Sequence, residues 1–354
     1  MLISRLDRYL MATVLSGALA GLFIILCLNF VFEFIEEAGD IGQGDYGLGT
    51  ALLYVGLRMV HRAYEAFPMA TLIGALVSLG ALAARSELVV MRAVGMSIGQ
   101  IARAVVYAGL LLALLAAAIG EWLAPSAERM AEAVQAEAFG QSVHAGAGGF
   151  WVRDGDYFLR GQRALRPDLI EGVVAYQQQG NRIVRVLSAP QAEFMDGRWV
   201  LAPATVTAFE ADRVVITESP REVIGGRLAP EMLEVIVVDA STLAVSELLQ
   251  YLNYLEANEL DTEEYRLALW VKMATPLATV VMLLLTVPLV FGSQRTASVG
   301  QKIFLGVLIG LAFFLLNRFL NNAGVIYGLP APVSALSPTV LFFIIALFAI
   351  RRVR

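Results

Sequence analysis

Six long runs of apolar residues, none of which contains a charged side chain, are spread along the chain. About 20 consecutive apolar residues are needed to cross the hydrocarbon core of a bilayer. We therefore predict six transmembrane helices, of which the fifth extends to about Asn321 and the sixth begins after a break at YGLPAP. The runs are Leu10 to Phe32, Phe67 to Ala84, Ala104 to Gly120, Met273 to Gly292, Ile303 to Asn317 and Phe319 to Ile350.

The long segment between the third and fourth runs has a different pattern. It opens with a helical stretch, SAERMAEAVQAEAFG, passes a glycine-rich break at AGAGG, and then alternates β-branched and aromatic residues with polar ones. Asp154-Gly155, Gly180-Asn181 and Asp196-Gly197 are typical of hairpin turns. The segment predicts about eight short strands in an antiparallel sandwich or jelly roll of roughly 90 residues, followed by a helix in STLAVSELLQYLNYLEANEL.

The predicted fold class is a polytopic α-helical membrane protein with six transmembrane helices and an inserted all-β, jelly-roll-like domain. Residues 1–124 are expected to hold the first three transmembrane helices and a short helix at about 85–96. Residues 125–264 form the β domain with its flanking helices, and residues 265–354 form the last three transmembrane helices.

Basic residues in the short loops fall on one side of this topology, which the positive-inside rule assigns to the cytoplasm. Both termini are therefore expected in the cytoplasm. The loop EFIEEAGDIGQGDYG has no basic residue and is expected on the opposite side, as is the β domain. The basic residues are Arg5, Arg8, Arg85, Arg92, Arg103, Arg295, Lys302, Arg351, Arg352 and Arg354.

Composition supports an integral membrane protein, because 58% of the residues are hydrophobic and only 16% are charged, whereas soluble domains carry about 25% charged residues. The net charge of -5 comes without any basic run, so no nucleic-acid partner is expected. Cys27 is the only cysteine, which excludes a disulfide within one chain and a cysteine-based metal site.

Motifs for catalysis are absent from the sequence. It contains two histidines, His61 and His144, and no HExxH, GxSxG or GxxxxGK[ST] pattern. Ionisable residues inside a membrane usually serve a function, and these apolar runs contain almost none. A membrane enzyme acting on lipid is therefore disfavoured, and no metal or cofactor is expected in this chain.

The stretch ARSELVVMRAVGMS, on the cytoplasmic side between the second and third runs, predicts a short helix. Ser86 is expected as its N-cap, Glu87 in its first turn and Gly95 at its end. Its apolar surface could lie flat on the membrane. Alternatively, it could dock into the ATPase of a transporter whose nucleotide-binding subunit is a separate chain.

RSELVVMRAVG closely resembles the coupling-helix segment of the LptF/LptG permeases, which extract lipopolysaccharide from the inner membrane of Gram-negative bacteria. LDRY, FPMA, GEWLAP, YGLP and ALSP, spaced along nearly the whole chain, match the same family. The leucine and two valines of SELVVM favour its LptG branch over its LptF branch.

This resemblance implies a heterodimer with an LptF permease on two copies of the ATPase LptB, with LptC as a further partner. ATP and Mg are then bound by LptB, and the β domain lies in the periplasm. Lipopolysaccharide is expected to enter sideways from the membrane and to leave through periplasmic jelly rolls. The residues expected to couple to the ATPase are Arg85, Ser86, Glu87, Leu88, Met91, Arg92 and Gly95.

Four basic residues are candidates for the phosphates of the lipid headgroup. Arginine binds phosphate oxygens well, although snorkelling side chains that anchor a helix at the interface are the alternative. The loop after the first run is acidic where family members carry lysines, so phosphate binding there would require bridging divalent ions. The four candidates are Arg58, His61, Arg62 and Arg318, and the acidic residues are Glu33, Glu36, Glu37 and Asp40.

Two apolar stripes with helical spacing are candidates for contact with acyl chains at a lateral gate. Ordinary lipid-facing surface is the alternative for each of these residues, and only the resemblance favours a gate. A scaffold that organises envelope proteins without transporting lipid is a further alternative for the chain. The stripes are Leu19, Phe23, Leu26, Phe30 and Phe34 on the first helix, and Phe304, Val307, Leu311, Phe314 and Leu315 on the fifth.

Overall fold

A computed structural model describes most of the chain. The described residues are 5–139, 150–154, 156–166, 168–179, 182–195, 197–209, 213–224, 240–258, 260–291 and 299–352. Several residues named above lie outside them: the glycine-rich break at 145–149, His144, Gly155, Gly180, Asn181, Asp196, Arg295 and Arg354.

The chain divides into two compact units. The first unit contains Met1–Gly39, Val55–Arg129 and Glu263–Arg354, and the second contains Asp40–Tyr54 and Met130–Thr262. Six helices among the described residues are long and apolar enough to cross a membrane, which confirms the predicted number. The helices are α1 (Arg5–Glu37), α2 (Leu48–Ala84), α3 (Glu87–Ala93), α4 (Ile98–Ala118), a π-helical turn (Ile119–Leu123), α5 (Ala124–Ala138), α6 (Val245–Ala257), α7 (Glu263–Phe291), α8 (Val299–Tyr327) and α9 (Ala331–Arg352).

The core of the first unit is formed by small and aliphatic side chains from its helices. Leu10, Leu76, Ile101 and Leu283, from α1, α2, α4 and α7, are almost completely buried in one cluster. Burial differs strongly between helices. In an apolar 18-residue stretch of each helix, 67% is buried in α7, compared with 22% in α1 and 17% in α8. α1 and α8 therefore present most of their apolar surface to lipid or to another chain.

The second unit contains a branched antiparallel sheet of nine strands among the described residues. Its order along the main path is β1-β2-β4-β5-β6-β9, while β3 pairs with β4, and β7 pairs with both β5 and β8. The strands are β1 (Phe150–Asp154), β2 (Tyr157–Gly161), β3 (Arg163–Arg166), β4 (Leu169–Gln179), β5 (Arg182–Met195), β6 (Arg198–Leu201), β7 (Ala204–Phe209), β8 (Val214–Ser219) and β9 (Glu222–Ile224).

The register of the sheet confirms the three predicted hairpins. Gln179 pairs with Arg182 and Met195 with Arg198, so the second and third predicted turns lie between paired strand ends. In the first hairpin Asp154 is itself paired, with Tyr157, so the connection begins one residue later than predicted. About eight short strands were predicted; the short strands β3 and β9 were not among them, and β5 runs unbroken across Pro190 from Arg182 to Met195. The ladder passes over Pro190, which has no backbone N–H to donate, and pairing resumes at Gln191 with Glu171.

Aromatic and aliphatic side chains from several strands are buried in the second unit. Trp199 is 2% exposed, and its ring lies 5.3 Å from that of Phe194. Leu187 on β5 and Leu201 on β6 are also buried. Side chains of neighbouring positions alternate between the two faces of a strand, so Met195 is exposed where Phe194 is half-buried.

Candidate functional site

Three of the basic side chains predicted to bind a lipid headgroup lie on one face of α2. Arg58 and Arg62 are four residues apart, and His61 is three residues from Arg58, so a helix brings all three together. Ala84 is the last residue of α2. At a rise of 1.5 Å per residue, Arg62 lies roughly 33 Å from it along the helix axis. This distance is about the thickness of the hydrocarbon core.

Both arginines share one buried carboxylate, which α1 supplies. Arg58 Nη1 lies 2.8 Å from Glu33 Oε1, and Arg62 Nε donates a hydrogen bond of 3.1 Å to Glu33 Oε2. Glu33 is only 7% exposed. The sequence placed Glu33 among acidic residues that disfavour phosphate binding, whereas the structure shows it as the shared counter-ion of the two candidate phosphate ligands.

Each arginine also has a second carboxylate within reach. Arg58 Nε lies 3.5 Å from Glu128 Oε1 of α5, and Arg62 Nη1 lies 3.0 Å from Glu65 Oε2. His61 Nε2 lies 3.6 Å from the other oxygen of Glu65. Three carboxylates therefore surround two guanidinium groups, and a phosphate must compete with them for the arginines. We call Arg58, Arg62, Glu33, Glu65 and Glu128 the arginine cluster.

Arg318, the fourth predicted headgroup residue, is exposed on α8. Among the described residues, no contact joins it to the arginine cluster. Within the same residues, no group of three or more His, Cys, Asp or Glu side chains is arranged to hold a metal ion. The structure thus brings together three of the four predicted headgroup residues.

The apolar residues predicted to contact acyl chains are exposed to different degrees. Phe23 on α1 and Phe304 on α8 are strongly exposed, as are Leu19, Val307, Leu311, Phe314 and Leu315. Leu26, Phe30 and Phe34 are half-buried, and the rings of Phe30 and Phe34 stack with centroids 6.3 Å apart. Other side chains on α1 are equally exposed, namely Ile24, Leu28, Val31, Phe32 and Ile35, so the apolar surface is wider than the predicted stripe.

The predicted cytoplasmic helix is present as α3 and ends as expected. Gly95 has a φ of 98°, a left-handed conformation that favours glycine. Its N–H donates to the carbonyl of Arg92, and the N–H of Met96 donates to the carbonyl of Met91, which is a Schellman motif. Ser86 occupies the predicted N-cap position, although its side chain makes no capping hydrogen bond.

The face of α3 available to a partner differs from the predicted one. Leu88 is 2% exposed and Met91 is 6% exposed, because both pack into the core of the first unit. The prediction that these two side chains enter a groove on the ATPase is therefore wrong. Val89, Val90 and Val94 are 50%, 59% and 77% exposed instead.

Three charged residues predicted for coupling lie around this valine face. Arg85 and Arg92 are exposed, whereas Glu87 is half-buried. Glu87 accepts a hydrogen bond of 2.8 Å from the hydroxyl of Tyr9 on α1. This bond connects α3 directly to α1, a link that the sequence did not indicate because 78 residues separate the two positions.

A buried lysine was also missed from the sequence. Lys272 on α7 is 8% exposed, and its ammonium donates a hydrogen bond of 2.7 Å to the carbonyl of Gly120 in the π-helical turn. The hydroxyl of Tyr64 donates a 2.9 Å bond to the backbone carbonyl of Lys272. Lys272 directly precedes the fourth apolar run, which is why the sequence showed it as the edge of a membrane helix rather than as a buried group.

These features define a class: a multi-pass membrane protein with an inserted β domain and a short helix whose valine face is open to a partner. The family described as lipopolysaccharide export system permease LptF/LptG matches residues 8–352, and the chain belongs to that family.

Full-length relatives carry the name of one branch of the family. The chain is 30% identical to the lipopolysaccharide export system permease protein LptG of Haemophilus influenzae, and the alignment covers 100% of both chains. It is 32% identical to LptG of Escherichia coli K12, with 98% of both chains covered. The match to LptF of Escherichia coli K12 is also 32% identical but covers only 37% of this chain and 36% of that protein.

Proposed function

We propose that this chain is the permease subunit of an ATP-driven lipopolysaccharide transporter in the inner membrane. It extracts lipopolysaccharide from the outer leaflet of that membrane and passes it to a periplasmic protein bridge that leads to the outer membrane. The observation that carries this proposal is the match of residues 8–352 to the lipopolysaccharide export permease family, with LptG relatives aligned over nearly their whole length.

The proposed partners are an LptF permease, an LptB ATPase dimer and LptC. ATP and Mg are bound by LptB. The partial similarity to an LptF protein fits two related subunits that pair in the membrane, and the exposed apolar surfaces of α1 and α8 offer area for such pairing and for lipid. The valine face of α3 is the proposed contact with LptB.

The proposed orientation has both termini in the cytoplasm and the β domain in the periplasm. Arg85, Arg92 and Arg103 lie near the α3 end of the first unit, and Arg351 and Arg352 end α9, as the positive-inside rule requires of a cytoplasmic side. The arginine cluster then lies near the outer leaflet, where the phosphates of lipopolysaccharide are found.

We further propose that Arg58 and Arg62, with His61 beside them, bind the headgroup phosphates. Their side chains are 30% and 36% exposed, so both are partly accessible to a ligand. Charge-assisted hydrogen bonds between arginine and phosphate are among the stronger polar contacts. Arg318 on α8 is a second proposed headgroup contact, and the exposed phenylalanines and leucines of α1 and α8 are proposed to contact acyl chains.

The experiment that tests the proposal is lipopolysaccharide loading of the purified complex after neutralising the arginine cluster. Replacing both arginines by glutamate would put five carboxylates together and threaten folding. The triple change Arg58→Gln, Arg62→Gln and Glu33→Gln removes positive and negative charge together and keeps hydrogen-bonding side chains. Two lost charge-assisted bonds of about 1.5 kcal/mol each should lower loading by about a hundredfold.

The matched control for this variant is the change Arg351→Gln, which removes one exposed cation at the end of α9, far along the sequence from the proposed headgroup residues. Complex yield and the unfolding temperature of the triple variant should stay near those of the parent. Loading at the parent level would contradict the headgroup assignment. A parent complex that purifies without an ATPase and a second permease would contradict the transporter itself and favour a scaffold.

A further inference from the structure

α1 and α2 make a close contact through three glycines. A Cβ atom on Gly17 would lie 2.6 Å from the carbonyl oxygen of Gly74, and one on Gly21 would lie 2.9 Å from the carbonyl oxygen of Ala70. Gly17 and Gly21 form a G-x-x-x-G pattern, which lets membrane helices approach to backbone contact. This crossing fixes α1 against α2 at one level of the membrane.

One face of α1 beyond the crossing is exposed, where Phe23, Leu28 and Phe32 are 69%, 57% and 67% exposed. On the other face, Ile25 and Leu26 pack against the core of the first unit, and Glu33 and Glu37 are buried. Glu33 lies roughly 18 Å from Gly21 at 1.5 Å per residue and is 7% exposed. Its ion pairs with Arg58 and Arg62 connect this part of α1 to α2.

The carboxylate of Glu33 makes one aligned hydrogen bond and one further ion pair. Its Oε2 accepts an aligned hydrogen bond from Arg62. Its Oε1 lies 2.8 Å from Arg58 Nη1 but, among the described residues, accepts no hydrogen bond of proper geometry. Arg58 and Arg62 would each keep a second carboxylate, Glu128 and Glu65, if Glu33 withdrew.

We propose that Glu33 is a displaceable latch. Its carboxylate occupies the arginine pair and holds the outer half of α1 against α2 until a phosphorylated lipid headgroup takes its place. The arginine cluster carries one more carboxylate than guanidinium groups, so a phosphate is repelled while Glu33 is present and is accepted once Glu33 leaves. This inference rests on the proposed function for the identity of the lipid, and it adds that loading the headgroup releases α1.

The exchange is physically reasonable because both anions meet the same donors. A phosphate group offers more oxygens than a carboxylate and can engage both guanidinium groups in forked pairs. Since Glu33 belongs to α1 and the arginines belong to α2, exchange of the anion changes the attachment of one helix to the other. The glycine crossing at Gly17 and Gly21 would serve as the pivot.

The test measures the distance between α1 and α2 in the full-length chain, purified as part of its complex. Cys27 is replaced by serine, and spin labels are attached at Ile35→Cys on α1 and Met59→Cys on α2 for distance measurement by double electron–electron resonance. Without lipid, Glu33→Gln should shift the label distance to longer values by several ångströms. Added lipopolysaccharide should produce the same shift in the parent, and lipopolysaccharide loading of Glu33→Gln should rise about tenfold, the effect of one lost competing charge-assisted bond.

Glu36→Gln is the matched control, because Glu36 is exposed three residues away on the same helix and the change removes the same charge. It should leave both distance and loading unchanged. Glu33→Asp keeps the charge with a shorter side chain and should give values between parent and Glu33→Gln. A purely structural role predicts lost complex and lower loading instead of higher loading.

Two outcomes separate the latch from the proposed substrate. A parent-like distance in Glu33→Gln, or loading that falls, overturns the latch. If lipopolysaccharide binds to no variant while Glu33→Gln still lengthens the distance, the latch stands and the proposed substrate is wrong.

Discussion

Lys272 illustrates, at the scale of single residues, how a charge is accommodated among apolar helices. Its ammonium donates a hydrogen bond to the carbonyl of Gly120. Gly120 lies in the π-helical turn, where backbone hydrogen bonds join residues five apart instead of four. Its own carbonyl accepts from Tyr64. α2, α7 and the π-helical turn are thus joined at one point.

Replacing Lys272 by methionine should lower the stability of the permease. The change keeps the length of the side chain but leaves the Gly120 carbonyl without this donor, at a cost of about 1 to 3 kcal/mol. Thermal unfolding of the purified complex is the measurement. Arg318→Met, which removes an exposed cation, should have little effect, and equal unfolding temperatures for parent and Lys272→Met would contradict the role of Lys272.

Glu87 has two separable roles, one inside the chain and one proposed toward LptB. Tyr9→Phe removes only the internal hydrogen bond, whereas Glu87→Ala removes both. We expect Glu87→Ala to weaken ATPase binding by about 2 to 5 kcal/mol, the usual effect of truncating one partner of a buried charged contact. Tyr9→Phe should retain ATPase binding, measured as LptB recovered per permease, and equal binding by both variants and the parent would refute the external role.

Residues that act through long-range pairs were the hardest to foresee. Arg58, His61 and Arg62 were singled out because helical spacing alone places them on one face. Their partner Glu33 depends on how α1 crosses α2, which is fixed by backbone contact between glycines and not by any local pattern. The pairing of Glu128 with Arg58 could not be predicted for the same reason, since Glu128 lies on a different helix, α5.

At the scale of elements, α3 gives a direct test of which side chains meet the ATPase. Val90→Glu places a charge on the exposed valine face and should reduce LptB recovered with the permease while leaving the unfolding temperature unchanged. Leu88→Ala should lower the unfolding temperature and leave the LptB recovered with the folded permease unchanged. The reason is that removal of a buried leucine costs about 2 to 5 kcal/mol of stability. If Leu88→Ala lost LptB without loss of stability, the buried assignment of Leu88 would be wrong.

Local patterns predicted most of the elements. The apolar runs gave the six membrane helices, and Gly95 gave the end of α3. The prediction of which side chains of α3 face the partner was wrong. In seven residues that include leucine, methionine and two valines, the sequence shows no clear amphipathic direction. The short strands β3 and β9 were missed because four and three residues are too few for an alternating pattern to be recognised.

At the scale of the whole molecule, the exposure of α1 and α8 connects the fold to its proposed task. Phe23, Phe32 and Phe304 are all more than half exposed, and the proposed function uses this surface for acyl chains and for pairing with LptF. In the β unit, Phe194 is half-buried against the buried ring of Trp199. Acyl chains that leave a bilayer need apolar cover worth about 0.8 kcal/mol per methylene, and the apolar cluster around these two rings is the proposed cover.

ATP-dependent capture of lipopolysaccharide by the β unit is the measurement that tests the central claim most directly. A photoreactive phenylalanine analogue replaces either Phe194, which is half-buried against Trp199, or the neighbouring Met195, which is exposed. The complex is reconstituted in vesicles that contain lipopolysaccharide, with or without ATP. The account predicts lipopolysaccharide crosslinks at position 194 that increase with ATP, and few at position 195. Crosslinks to protein alone at both positions, or equal lipid capture without ATP, would contradict a transport role for this chain.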